Sequence, residues 1–463
     1  MLSWFSETKS PAPLVLDLEI DNKRTFTSLE RFTGKLTIKA LIDTSFDKLE
    51  IKLTGTSRTY GRRVVPQAPS ARTVTTAHRF LELIQPDLHF HIPEDRSFKK
   101  GCIYKFPFEF AVPGRMLPST CRHAVASLLV HTCHTSMPPS FGDHELADVT
   151  DHAPKHASVK YRVVANLQEI SETGKCIEIA SVSEPIRFMP EEQAGEPDVK
   201  AWRTARLSQA EMSIGKLWTR RSGKLAVTSI QTTPFVMKDF RKSVWRSELS
   251  GRVKINLVFW PANDEAKPPG QIYLNAFLRT TTVSAVSPLT QLPSDDPWVG
   301  PQIDRHTAPS IIMSPRLIES IEWVRDFRGC TKLDGGFPSY EASPTSAAPQ
   351  STTFKLCYST QITISLDTMS TSLLVPTLHS CLITRGYDLD LRLSLPGSAI
   401  SLSSAMRLRI PVKVIFEGAA IRCDSAAPQV EAHALELGYG LMCEDLGMAD
   451  AEGPPPGYQR TSV

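Results

Sequence analysis

The 463-residue sequence predicts an all-β protein of two domains, with one-face-buried strands of the sort that build antiparallel β-sandwiches, followed by a disordered C-terminal tail. Three observations lead there. Short apolar–polar alternation recurs along most of the chain, the mark of strands buried on one face. The 35 prolines suit short connections and argue against a helical bundle. The length is too great for one ordinary core, and two domains of roughly 200 residues each fit the usual range.

The first sandwich is expected over residues 14–190, after an N-terminal arm at 1–13. Leu14, Leu16, Leu18 and Ile20 share one strand face, while Val15, Asp17, Glu19 and Asp21 point the other way. Lys35 to Ala40, Leu49 to Leu53, Ser158 to Val163 and Cys176 to Ile179 repeat the pattern. Pro190 to Pro197 is polar and flanked by prolines, so it reads as the exit from this domain. A hinge is expected over 191–222. Lys200 to Arg221, with Trp202, Leu207, Met212 and Leu217 on a ragged face, is the best helix candidate.

The second sandwich is expected over 223–417. Its candidate strands are Lys224 to Val227, Gly251 to Trp260, Gln271 to Leu278, Phe354 to Leu366, Tyr387 to Leu393 and Met406 to Phe416. Residues 334–351 are rich in Gly, Pro, Ser and Ala and predict a long exposed loop. Residues 418–463 form an acidic, proline-containing tail with little strand pattern.

Composition narrows the function. The net charge is only +3, so no global charge argument favours nucleic acid. No apolar run approaches the ~20 residues of a membrane-spanning helix. Met1 to Pro13 contains Glu7 and Lys9 and no apolar core, so a secretory signal is not expected. The nine cysteines are odd in number and never spaced as CxxC. Reduced thiols in a cytoplasmic protein are the expectation, with neither a disulfide framework nor a four-cysteine zinc site. No GxSxG elbow, P-loop, GxGxxG or HExxH occurs, so no enzyme activity, cofactor or metal is expected.

His131-Thr132-Cys133-His134 contains zinc-ligand types. A strand would place His131 and Cys133 on one face and His134 on the other, short of the four ligands that tetrahedral zinc takes; ordinary strand residues are the expectation. Asp388 and Asp390 share a strand face, which alternation on a solvent-facing side explains without catalysis.

The order and spacing of several stretches carry a resemblance. Phe32 to Leu36 precedes Leu49 to Gly55, and His78 to Leu83 follows. Then come Tyr104 to Pro113, Leu117 to Cys121, Pro138-Pro139-Ser140-Phe141-Gly142-Asp143, Ala157 to Val163 and Glu184 to Phe188. Over about 175 residues this resembles the N-terminal domain of arrestin-like proteins of the fungal (alpha-arrestin) type. Arg385 to Leu391, followed by Arg409 to Val414, looks more loosely like the last strands of an arrestin C-domain. The resemblance implies two arrestin-type antiparallel β-sandwich domains joined by a hinge. It also implies an adaptor, peripheral at the plasma membrane or endosomes, that binds the cytoplasmic tails of transporters or receptors. The buried charged cluster with which some arrestins sense receptor phosphates is not recognisable by motif.

Pro455, Pro456, Gly457 and Tyr458 form a PPxY motif. WW domains bind such segments in aromatic-lined grooves. Proline pre-sets the extended polyproline shape, so less ordering entropy is lost on binding. Pro455 and Pro456 would lie in the groove and Tyr458 would fill a second pocket, with Gly457 unconstrained. Composition alone would yield roughly 0.05 such motifs per chain. Between Asp424 and Gln459 there are seven acids and no Lys or Arg, which suits an accessible linear motif. The partner implied is a WW-domain HECT-type ubiquitin ligase, with ubiquitin attached to the cargo and to lysines of this chain as well.

Lys200 to Lys254 holds thirteen Lys or Arg against three acids, densest at Arg220, Arg221, Arg241 and Lys242. Arg58, Arg62, Arg63 and Arg72 form a smaller cluster in a loop-like stretch. Two readings stay open for these cations: contact with acidic cargo tails or anionic lipid, and a solvated face. Nucleic-acid binding would want aromatics interleaved with base-reading residues, and Tyr60 alone is thin support beside the smaller cluster. Two alternatives to the ligase adaptor also stay open. One is a trafficking scaffold or coat component without ligase recruitment, and the other is a β-sandwich enzyme with an unrecognised site.

Overall fold

The computed structural model describes residues 13–20, 25–63, 72–146, 151–192, 209–215, 221–238, 247–292, 303–330, 353–370, 374–395, 405–417 and 458–462. The fold is all-β, as the alternation requires. The strands of the first half are β1 (Leu14–Glu19), β2 (Thr25–Phe26), β3 (Arg31–Ala40), β4 (Thr44–Ser45), β5 (Lys48–Arg63), β6 (Arg72–Ile84), β7 (Ser97–Phe98), β8 (Ile103–Ala111), β9 (Ala157–Ile170) and β10 (Cys176–Phe188). Those of the second half begin with β11 (Gln209–Gly215), β12 (Arg221–Thr232), β13 (Phe235–Lys238), β14 (Ser247–Pro261) and β15 (Ile272–Ala285). They continue with β16 (Ile303–Thr307), β17 (Ile311–Ile318), β18 (Val324–Cys330), β19 (Thr353–Ser370), β20 (Leu378–His379), β21 (Ile383–Ser394), β22 (Met406–Val412) and β23 (Val414–Glu417). A last strand, β24 (Tyr458–Ser462), lies near the C-terminal end of the sequence.

In the first half, a three-stranded sheet in the order β1-β3-β8 accompanies a six-stranded sheet in the order β2-β10-β9-β5-β6-β24. In the second half, one sheet runs β11-β12-β14-β13-β23, with β19 also pairing β14 and β18 pairing β19. The other runs β16-β15-β21-β20, with β17 on β15 and β22 on β21. Apart from the small β4-β7 ribbon, these four sheets hold all the described strands.

Alternation explains the burial. On β1, Leu14 and Leu18 are buried while Val15, Asp17 and Glu19 are exposed. On β9, Val159, Tyr161, Val163, Ala165 and Leu167 are all fully buried. On β21, Leu389, Leu391 and Leu393 are likewise fully buried. Each such Val or Leu side chain contributes about 1.5–3 kcal/mol when removed from water, which makes a one-residue slip of register costly in these strands.

Four expectations are corrected. Gln209–Gly215 is strand β11, and the strand series resumes at Arg221, so the described part of 200–221 is not helical. Ala210, Met212 and Ile214 pack against the core while Gln209, Glu211 and Ser213 alternate with them, and that period of two outweighed the ragged helical face. Residues 131–134 belong to a helix, α1 (Leu128–His134), whose first turn is capped by the Ser127 hydroxyl accepting from the Val130 N–H at 3.4 Å. The cluster at Arg58, Arg62, Arg63 and Arg72 lies on a hairpin, not a loop: Arg62 pairs with Thr73 and Arg63 with Arg72. Tyr458–Ser462 is a strand, antiparallel to β6, rather than disordered tail.

Candidate functional site

Of the predicted site residues that are described, Tyr458 on β24 and Arg58, Arg62 and Arg63 on β5 share one sheet with β6 between them, while Arg221 lies on β12 in another. Pro455, Pro456 and Gly457 lie outside the described residues, and Tyr458 opens β24 opposite His78. Arg58 is exposed on β5, its guanidinium 3.4 Å from the Tyr60 hydroxyl. Arg62 and Arg63 follow on the same strand, and Arg221 opens β12. Arg220, Arg241 and Lys242, like the loop at 334–351, lie outside the described residues. Asp388 corrects its expectation: it is buried rather than solvent-facing, and it accepts from Arg409 at 2.6 Å. Asp390 pairs with Arg279 at 2.9 Å, so both acids have structural partners.

The richest polar chemistry lies where the two halves meet. Thr59 on β5 and Thr76 on β6 are buried. Their hydroxyls donate across to the carbonyls of Ala285 and Val286, at 2.8 and 2.7 Å. The Ala126 N–H donates to the Thr290 carbonyl at 2.8 Å. Glu192 pairs with Lys413, and its N–H reaches the Phe416 carbonyl at 3.1 Å.

Two clusters are built into this contact. The first centres on Arg385 of β21, 1% exposed. Its guanidinium donates to the Asp151 carbonyl at 3.0 Å and to the Tyr387 hydroxyl at 3.1 Å. Its carbon lies 5.1 Å from the centre of the Phe141 ring and 5.7 Å from that of Tyr387. Cation–π attraction of this kind is strongest where water is excluded. Nη1 has no hydrogen-bond partner. The Phe141 face comes from the buried loop at 137–143. Gly142 lets that loop turn: its φ is +64°, and a Cβ there would lie 2.6 Å from the Ala157 carbonyl oxygen. Its N–H donates to the Asp151 carboxylate at 2.6 Å, which also places the Asp151 carbonyl for Arg385.

The second cluster joins Cys121, His123, His134 and Cys381, one donor atom from each lying within 4.8 Å of the others. Cys121 Sγ is 3.4 Å from His123 Nε2 and 3.7 Å from His134 Nδ1. Cys121 and His123 follow the short 3-10 turn Pro118–Thr120, and His134 is the last residue of α1. Cys381 comes from the second half, in the turn between β20 and β21, where its carbonyl accepts the Leu289 N–H at 2.7 Å. Cys121, His134 and Cys381 are buried, and His123 is half-buried. His78 stands nearby on β6, also buried. Burial holds the His78 and His134 imidazoles down to about 4, so both are neutral at neutral pH. The hydrogen bond with Cys381 holds the Cys121 thiol below its ordinary value.

Sequence reasoning weighed His131 to His134 but not this set. The only short spacing within it is Cys121-x-His123, and the fourth member lies far along the chain. Neither the protein-family models nor the curated proteins include a match to this chain.

Proposed function

We propose that the protein is an adaptor: its paired β-sandwiches hold the cytoplasmic tail of a membrane transporter or receptor, and the PPxY segment recruits a WW-domain HECT-type ubiquitin ligase. The cargo is then ubiquitinated and internalised. The observation that carries this reading is Pro455-Pro456-Gly457-Tyr458 at the end of an acidic stretch without lysine or arginine. The resemblance of the first half to arrestin-like proteins supports it. So does the all-β architecture, since edge strands and loops of sheets offer binding surface. The exposed Arg58 supplies a cation for an acidic tail or an anionic headgroup.

The test is capture of the full chain by an isolated WW domain. Tyr458→Ala and Pro456→Ala are each expected to abolish capture, and undiminished capture by both variants would overturn ligase recruitment. A scaffold without ligase recruitment instead predicts that deleting 450–463 leaves cargo uptake intact.

A further inference from the structure

We propose that Cys121, His123, His134 and Cys381 form a structural zinc site that ties the two halves of the molecule together. The geometry fits. Tetrahedral zinc with Zn–S near 2.3 Å and Zn–N near 2.0–2.1 Å sets its ligand atoms roughly 3.3–3.8 Å apart. The two separations from Cys121 Sγ, 3.4 Å to His123 Nε2 and 3.7 Å to His134 Nδ1, fall on those tetrahedral edges. The remaining donors lie within 4.8 Å, a gap that small side-chain rotations close.

The chemistry fits as well. Two thiolates and two neutral imidazoles balance the charge of a divalent cation, so the loaded site is neutral and its burial costs little. Binding releases the two thiol protons to solvent, with no change of oxidation state. A sulfur- and nitrogen-only tetrahedral set selects zinc over magnesium or calcium, which take oxygen ligands. His123 is already oriented: its Nδ1 lies 3.0 Å from the Ala124 carbonyl, which fixes that nitrogen as the donor and turns the Nε2 lone pair toward Cys121. This is the outer-shell hydrogen bond that metal-bound histidines ordinarily make. Four protein ligands leave no open position, so the metal is structural and not catalytic.

The ligands' origins give the site its role. Three come from the connection between β8 and β9, whose described residues hold one short α-helix, one 3-10 turn and no named strand. The fourth, Cys381, belongs to the second half. The metal therefore anchors a loop and cross-links the halves, beside the Ala126–Thr290 and Leu289–Cys381 backbone bonds. This inference is independent of the adaptor reading, since WW-domain capture does not need the metal.

The test is zinc content of the full chain purified without chelator, read by elemental analysis and by colorimetric release on thiol modification. One zinc per chain is expected for the wild type, His131→Ala and Cys133→Ser. Cys381→Ser and His134→Ala are expected to lose at least tenfold in retained metal. Should those variants fold poorly, cobalt(II) added to the metal-stripped wild type gives a reading free of mutation. It should produce the intense visible bands of tetrahedral cobalt with a sulfur-to-metal charge-transfer band. Metal-free wild type with a weak octahedral cobalt spectrum would overturn the site. So would a Cys121–Cys381 disulfide found by mass spectrometry of the freshly purified chain.

Discussion

The two clusters between the halves solve the same problem in opposite ways. Arg385 carries a full charge into the interior and is held by a carbonyl, a hydroxyl and two ring faces, with one guanidinium nitrogen left unbonded. The cysteine–histidine cluster brings in two thiols and two imidazoles, which as thiolates and neutral rings would form a neutral set with a divalent metal. The first costs desolvation, which its hydrogen bonds and ring contacts must offset. The second costs little to bury and, with zinc, adds coordination bonds. One contact therefore specifies how the halves meet and the other fastens them.

Three substitutions separate these roles by size of effect. Cys381→Ser should be the most damaging, costing more than about 4 kcal/mol, the range reached when a metal or a comparable feature is lost. Chemical denaturation of the full chain measures it, and adding zinc should not restore the variant. A loss below about 1 kcal/mol would reduce the cluster to ordinary packing. Arg385→Met comes second, at about 2 kcal/mol. It keeps most of the volume but leaves the Asp151 carbonyl unpaired, while relieving the unbonded Nη1. A stabilised Arg385→Met would mean the charge is retained for something other than stability. Thr59→Val should be the mildest, about 1 kcal/mol, since it removes a single buried hydrogen bond to Ala285 at nearly constant shape. Its melting temperature should fall by less than that of Arg385→Met.

Much of the fold was legible from period-two alternation because each sheet has one face in the core. Leu14 and Leu18 inward with Val15 outward is the plainest case. Gln209–Gly215 was missed because Trp202, Leu207 and Leu217 suggested a longer helical window than the strand occupies. Residues 128–134 were missed for the converse reason. Seven residues are too few for a helical period to show, and the decisive signal is the Ser127 cap. The candidate metal cluster was illegible because proximity between His134 and Cys381 is a product of tertiary folding. No spacing rule joins residues that far apart. Arg385 opens a strand pattern, and nothing in Arg385-Gly386-Tyr387 announces that its side chain is buried.

The pairing order of the strands has a consequence for how the chain folds as it is made. Apart from β24, the sheets of the first half need nothing beyond Phe188. In the second half, β14 must wait for β19, its partner from Ser247↔Ser370 to Phe259↔Tyr358. β15 likewise waits for β21, which ends at Ser394. Pairings between such distant segments close slowly, because the loop entropy is lost before the contacts form. During translation the first half can therefore be folded while β14 and β15 still expose their apolar faces on the ribosome. Cys381 emerges within that late window. Metal capture would then be among the last assembly events, sealing the molecule only once both halves have formed.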